Sequence, residues 1–207
     1  MLRKLFALVF VAGLTACAAG NKIDYSGRYS AATPVKPGTT IALGVQDLRS
    51  AVVSGEKSPD YVGKQRDGWG IPFDVRTGSG RPLADEVNDL IQNSLSRGGG
   101  TITPVGLAPT MGREQVQSAL AAPGTDRQVY VSVREWRSDS LMRTSIVYDI
   151  TAQVFDRDGQ PLAENRVQGD EAIDTAALYK GGQAIADVFQ RAVDTMLRDE
   201  KIRAALQ

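Results

Sequence analysis

The first 17 residues decide which part of this chain can fold. Met1–Lys4 is basic, Leu5–Leu14 is apolar and uncharged, and small residues then lead to Cys17, the only cysteine of the chain. About ten apolar residues are too few to span a bilayer and are typical of a signal-peptide core. The fold therefore belongs to the residues that follow, and these contain no cysteine for a disulfide.

The segment Leu14-Thr15-Ala16-Cys17 resembles the lipobox of bacterial lipoproteins, whose cysteine is acylated and becomes the first residue of the mature protein. The alternative is an ordinary secretory signal cut near Ala16 or Ala19. Lipidation accounts for the lone cysteine, since a spare thiol in an oxidising compartment invites wrong disulfides. We predict a signal peptide over 1–16 and acylation of Cys17.

The residue after Cys17 is Ala18, and not the aspartate that retains many lipoproteins at the inner membrane. That sorting rule, carried over from the lipoprotein resemblance, predicts an outer-membrane protein whose body faces the periplasm. Its membrane partner would be lipid, through acyl chains such as palmitate on Cys17. One acyl chain binds a membrane only marginally, and the lipoprotein pathway supplies more than one.

The composition argues against a nucleic-acid partner. The full chain has 24 basic and 24 acidic residues, and loss of the signal removes Arg3 and Lys4. A near-neutral body of mixed charge lacks the basic surface of a nucleic-acid binder. The oligomeric state stays open.

Residues 17–38 are predicted to be a lipid anchor and flexible tether, and residues 39–207 a single domain. The tether is rich in small residues, Gly, Ser and Pro, and has neither a helical nor a strand period. Ile23, Tyr25 and Tyr29 leave open the alternative that this segment docks onto the body or onto a partner.

Apolar periodicity gives the elements of the body. It predicts strands at 39–49, 101–105, 127–136, 145–155 and 162–168, and helices at 82–97, 113–122 and 185–197. Strands joined by hairpins indicate antiparallel pairing, and amphipathic helices need a sheet face to cover. The predicted fold is α+β, an antiparallel sheet of four to five strands with two main helices packed on one face.

Two regions of the body fit these patterns less well. Residues 50–80 show little periodicity, and hidden strand fragments are expected at Val52–Val53 and Phe73–Val75. A loop of that length is either functional or conceals an element. The position of Trp136 is ambiguous, and one alternative places it on the polar side of its strand, where it would cover the far face of the sheet.

Most catalytic and metal chemistry is disfavoured. The chain has no histidine, which excludes histidine-based triads and removes the commonest zinc ligand. Asp156 begins a segment similar to a calcium loop, but Val167 stands where the loop needs glutamate, so a hairpin turn at Asp158–Gly159 is predicted. The glycines at 78–80 and 98–100 are interpreted as residues that mark the ends of helices, and not as phosphate-binding loops. We predict no metal and no cofactor.

Carboxylates leave one route to catalysis. Asp47, Asp67, Asp74 and Glu86 cluster loosely around residues 50–80, and a glycosidase needs two acids across a cleft. Charged side chains in loops are usually solvated, and we predict that the protein is not an enzyme.

The segment 61–78 is the candidate for partner binding. Its aromatic residues lie among glycines with arginines alongside, a composition favoured at interface hot spots. The predicted binding residues are Arg66, Trp69, Phe73 and Arg76. The alternative is a lid in which Trp69 covers the core. This alternative is favoured because a tryptophan in a long loop usually packs inward.

Several of these segments together resemble the YajG-like envelope lipoproteins. They are the lipobox, a strand ending VQDLRS, the loop YVGKQRDGWG, the helix LADEVNDLIQNSLSRGG and the hairpin YDITAQVFDRDGQPL before the last helix. The resemblance covers most of residues 39–207, and Asp47 and Arg49 match a D-x-R pattern at the end of the strand. It implies a compact α+β domain of the envelope without established catalytic residues. Residues 98–100 and 106–126 depart from the pattern.

The predicted function is a non-enzymatic binding or scaffold role in a cell-envelope complex, with an envelope protein as partner. The alternative is an auxiliary lipoprotein of a lipid or solute transport system that holds an apolar ligand between sheet and helices. An exposed apolar patch of more than a few hundred Å² would favour the partner. A closed apolar pocket of several hundred Å³ would favour the ligand.

Overall fold

The structure, a computed structural model, describes residues 21–25, 31–174 and 182–207. Cys17 and the predicted signal peptide lie outside these residues. None of the helices described is both long enough and apolar enough to cross a membrane.

The described residues form eight strands and five helices. The strands are β1 Lys22–Ile23, β2 Thr40–Asp47, β3 Tyr61–Arg66, β4 Pro72–Thr77, β5 Thr101–Gly106, β6 Arg127–Ser140, β7 Arg143–Asp156 and β8 Pro161–Asp174. The helices are α1 Ser50–Val53, α2 Leu83–Arg97, α3 Arg113–Ala121, α4 Gln183–Arg198 and α5 Glu200–Ala205. The predicted main helices and the turn at Asp158–Gly159 are confirmed, and Gly159 takes the positive φ that this turn requires.

The strands form one mixed sheet, so the predicted antiparallel sheet of four to five strands is wrong. β2 lies between β5 and β6 and runs parallel to both. β6, β7 and β8 follow one another as antiparallel hairpins. The parallel pairs arise because α2 precedes β5 and α3 precedes β6, and a helical crossover returns the chain to the same end of the sheet.

The segment 50–80 contains three elements instead of one long loop. After α1, β3 and β4 form an antiparallel hairpin, and β3 pairs in parallel with the second half of β6. β1 pairs in parallel with the outer edge of β4. The strand expected at Phe73–Val75 is confirmed within β4, whereas Val52–Val53 belongs to α1.

The two main helices, α2 and α4, pack on the same face of the sheet, and α3 covers the opposite face. Ile41 and Leu43 of β2 point into the main core with α2, α4 and α5. Ala42, between them, points to the other face and packs against Val116 and Leu120 of α3. Side chains of β2 thus pack against helices on both faces of the sheet, because successive side chains of a strand point to opposite faces.

Trp136 lies in the main core with 1% of its surface exposed, and the alternative in which it covers the far face is wrong. Val129, Val131 and Val133 point inward, but the register with β7 shifts between Val133 and Glu135. This β-bulge adds one residue to β6, so the inward positions change from odd to even numbers. The sequence pattern carries no mark of that extra residue.

Part of the segment between Cys17 and the body is packed against it. Ile23 and Tyr25 are buried in the main core, as the docking alternative proposed. Further on, the Thr33 N–H donates to the Ser94 carbonyl at 3.2 Å. Gly98 allows this approach, since a Cβ there would lie 1.7 Å from the Thr33 carbonyl oxygen.

Candidate functional site

The predicted binding loop is the hairpin of β3 and β4, with Trp69 at its tip. The last pair of the ladder is Arg66 with Pro72. Beyond it, one carboxylate oxygen of Asp67 accepts hydrogen bonds from the N–H groups of Trp69 and Ile71, both at 2.9 Å. An aspartate that caps its own turn in this way fixes the backbone locally. The turn is therefore ordered while its side chains point outward.

The apolar side chains of this tip are exposed. Trp69 is 91% exposed, Ile71 55% and Phe73 41%. The alternative of a lid in which Trp69 covers the core is wrong. A tryptophan this exposed contributes little to the core, and its apolar surface is available to a partner.

A second hairpin tip lies beside the first. β3 and β6 run in the same direction, with Gly63 opposite Ser138 and Gln65 opposite Ser140, so both strands end on the same side of the sheet. The turn after β6 carries Leu141, 51% exposed, and Met142, 84% exposed. We call the exposed apolar side chains of these two turns the tip surface: Trp69, Ile71, Phe73, Leu141 and Met142.

Glycine and an ion pair hold the two hairpins together. A Cβ at Gly63 would lie 2.2 Å from the Ser138 hydroxyl oxygen, so no other residue permits this contact between strands. Arg66 donates two hydrogen bonds to the carboxylate of Asp139, at 2.9 and 2.8 Å. These bonds and the guanidinium charge hold the pKa of the Asp139 carboxyl below its ordinary value. Arg66 thus joins the β3–β4 hairpin to the β6–β7 hairpin directly behind the tip surface.

The structure does not bring all four predicted binding residues together. Arg66, Trp69 and Phe73 lie at the tip end of the hairpin. Arg76 lies at the opposite end of β4, where its guanidinium forms an ion pair with Asp60 at 3.0 Å. It holds that end of the hairpin and is remote from the tip surface.

Asp47 and Arg49 of the D-x-R pattern form a buried ion pair with an N–O distance of 2.6 Å. Arg49 also donates to the main-chain carbonyls of Pro59 and Tyr61, at the start of β3. A buried charge of this kind is tolerated because its hydrogen bonds are satisfied. The pattern therefore fixes where β2 ends and the β3–β4 hairpin begins, and it supplies no free acid or base.

The other carboxylates considered for catalysis have separate partners. Asp74 receives the Lys57 ammonium at 2.8 Å. Glu86 accepts from the Ser79 hydroxyl, and Asp67 accepts from its own turn. Within the described ranges, no three Asp, Glu, His or Cys side chains are grouped so that they could hold a metal ion.

The space predicted for an apolar ligand, between sheet and helices, is filled by packed side chains such as Leu43, Ile91 and Leu95. Grooves elsewhere are open and partly polar. One of about 520 Å³ between α2 and β5 has Arg81 and Asp89 in its wall. Where the chain is described, neither this packed core nor this groove has the closed apolar lining that the transport alternative requires.

Comparison with known proteins identifies the fold. Protein XCC0632 of Xanthomonas campestris, a DUF330 protein, superimposes with a TM-score of 0.50 at 13% identity, over 90% of this chain and 93% of that chain. This likeness shows a common fold and does not extend to function. No family model matches the sequence, and the curated proteins include no match. The YajG-like family is therefore not shown.

Two further solved structures are similar at lower scores. The PelC dodecamer of Paraburkholderia phytofirmans has a TM-score of 0.46 at 11% identity, with coverage of 86% of this chain and 94% of that chain. Lipoprotein GNA1162 of Neisseria meningitidis has a TM-score of 0.29 at 12% identity, with coverage of 74% and 99%. Scores below 0.5 carry no argument about this chain.

Three residues of the tip surface are absent from the predicted set: Ile71, which lies within the segment 61–78, and Leu141 and Met142, which lie outside it. The segment Ser140–Arg143 has none of the glycine or asparagine signals of a tight hairpin turn, so no turn was predicted there. A usable signal was present nonetheless. Two large apolar residues stand at the point where the alternation of the flanking strands stops.

Proposed function

We propose that this chain is a lipid-anchored, non-enzymatic lipoprotein of the bacterial outer membrane, facing the periplasm, which binds another component of the envelope through the tip surface. The acylated residue in this proposal is Cys17. The domain provides a rigid frame that presents the two hairpin tips at one end of the sheet.

The observation that carries the proposal is the concentration of exposed apolar side chains at that end. Seven large apolar side chains are exposed among the described residues, and five of them form the tip surface. Scattered exposed apolar residues are normal, whereas a contiguous group marks an interaction site. The ion pair of Arg66 and Asp139 keeps the group together in the absence of a partner.

The proposal of a non-enzymatic role is supported by the state of the acidic side chains. The chain lacks histidine, and Asp47 and Asp74 are each held in an ion pair. A pair of carboxylates for acid and base chemistry needs to flank a cleft. Asp47 is engaged in the buried ion pair with Arg49, which positions the start of the β3–β4 hairpin.

Fractionation of cells tests the anchor. Cys17→Ala is expected to move the protein from the membrane fraction to the soluble periplasmic fraction. Ala18→Asp, which leaves the cysteine in place, is expected to move it from the outer to the inner membrane. Retention of the Cys17→Ala protein in the outer membrane would contradict the proposal.

A further inference from the structure

The direction of β1 shows from which side the chain enters the domain. β1 runs parallel to β4, with Lys22 opposite Arg76 and Ile23 opposite Thr77. Because β4 starts at the tip and runs away from it, β1 also runs away from the tip. Asn21, which precedes Lys22, therefore lies on the side of β1 that is nearer the tip surface.

Asn21 links the far end of β4 to the tip end of β3. Its main-chain oxygen accepts from the Arg76 N–H at 3.2 Å. Its side-chain amide donates to the side chain of Gln65, and Gln65 is the ladder partner of Phe73. The side chain of Asn21 is thus connected to the hairpin one strand pair from the turn.

The chain between this point and the proposed lipid is short. Cys17 precedes Asn21 by four residues, which span at most about 14 Å when fully extended. If Cys17 carries acyl chains in the bilayer, Asn21 has to stay within that distance of the lipid headgroups. The end of the sheet that carries the tip surface is then held at the membrane, and little space remains for a protein between them.

The side chains at this end suit a lipid interface. Tryptophan is enriched where a protein meets the headgroup region, because its ring is amphipathic. Trp69 and Met142 are the most exposed large apolar residues among those described. Arg143, directly after Met142, is exposed and adds positive charge, which anionic headgroups attract. Asp67 and Asp139 have their charges engaged by the turn and by Arg66.

We propose that the tip surface lies on the phospholipid bilayer, so that the domain is held by two contacts, the acyl chains of Cys17 and the apolar tips of two hairpins. This inference rests on the lipid anchor of the proposed function and names the component that the tip surface binds. A second contact joined to the lipid anchor by a short chain forms at high effective concentration, so even a weak apolar contact is occupied. The pair also fixes the orientation of the domain, with α5 and the start of β6 directed away from the membrane.

Quenching of tryptophan by brominated lipid tests the contact. The acylated full-length mature protein is purified in detergent and reconstituted into vesicles of phosphatidylethanolamine and phosphatidylglycerol, with or without bromine on the acyl chains. Trp69 and Trp136 are the two tryptophans, and Trp69→Phe leaves only the buried one. The difference in emission between the wild type and Trp69→Phe is the emission of Trp69. In brominated vesicles this difference is expected to be largely lost, while the emission of Trp69→Phe is unchanged.

Matched variants move the probe to other positions of the Trp69→Phe protein. Met142→Trp places it on the second tip and is expected to be quenched. Glu200→Trp places it at an exposed position on α5, and α5 lies near Arg127 at the opposite end of β6. This probe is expected to keep its emission. All substituted side chains are exposed, so the fold should be retained.

The outcomes separate this inference from the proposed function. A wild-type protein that fails to float with the vesicles would refute the anchor, and the inference with it. Flotation with equal emission of the tip probes in both kinds of vesicle would refute the inference and leave the anchor intact. Flotation without quenching, together with cross-linking of position 69 to an envelope protein in cells, would assign the tip surface to a protein partner instead.

Discussion

Trp69 and Trp136 have opposite environments in one domain. Trp136 is enclosed by Tyr25, Tyr148 and Phe189, with ring centroids 5.1 to 6.2 Å away, and its indole N–H donates to the Tyr25 hydroxyl at 2.9 Å. Trp69 stands on a turn with most of its surface exposed. The first is held by contacts within the chain, whereas the second leaves its surface open to solvent. Substitution of Trp136 should therefore affect folding, and substitution of Trp69 should affect binding.

Trp136→Ala is expected to have the largest effect on stability. It removes the centre of the aromatic cluster and leaves the Tyr25 hydroxyl without its donor. Replacement of a buried aromatic residue by alanine costs about 3–5 kcal/mol in the free energy of unfolding. Chemical denaturation of the soluble domain measures this loss. A change below about 1 kcal/mol would show that the cluster does not hold the core.

Arg49→Ala is expected to follow, since it leaves the Asp47 carboxylate buried and uncompensated. Breaking a buried ion pair by removal of one partner costs about 3–5 kcal/mol. Arg66→Ala is the matched control, because it breaks an ion pair whose side chains are about a third or more exposed. The control should unfold close to the wild type. Equal losses in the free energy of unfolding for the two variants would show that the buried ion pair stabilises the fold no more than the exposed one.

Tyr25 gives the cluster a dependence on alkaline pH. Burial raises the pKa of its hydroxyl well above the ordinary value. Below about pH 10 both folded and unfolded chains keep the proton, and its contribution to stability is fully present. Above that pH the unfolded chain releases the proton first, so stability falls by up to about 1.4 kcal/mol per pH unit. Tyr25→Phe should reduce this slope in alkaline denaturation titrations. An unchanged slope would assign it to the other tyrosines.

Trp69→Ala is expected to have the smallest effect on stability, within about 0.5 kcal/mol, as for other surface substitutions. The same variant should weaken whatever contact the tip surface makes. Thermal melting and flotation of vesicles, measured on one preparation, separate the two properties. A marked loss of stability would show that Trp69 supports the fold after all.

The sequence predicts best where a single period runs over many residues. α2 and α4 carry one apolar stripe each, and β7 and β8 are joined at a glycine turn, so their positions were predictable. Parallel pairing of β2 with β5 and β6 was not, because it depends on residues far apart in the chain. The bulge before Trp136 reverses the inward side of β6 without any change in residue type, which is why its burial was missed.

The candidate site was predictable in part for the same reasons. The glycines and aromatic residues around Trp69 mark the segment as a candidate for binding, but they do not predict that it is a hairpin. Its exposure depends on Asp67, which fixes the turn, and on the neighbouring strand β6. Leu141 and Met142 join the tip surface only through the parallel register of β3 and β6, which the sequence does not show.

The tip surface is expected to be covered while the protein is on its membrane. Acylation of Cys17 leaves the chain without a free thiol, so Trp69→Cys and Glu200→Cys each provide one reactive group. In opened outer membranes, a soluble maleimide is expected to label position 200 fully and position 69 only after detergent is added. Equal labelling of the two positions before detergent would contradict the account.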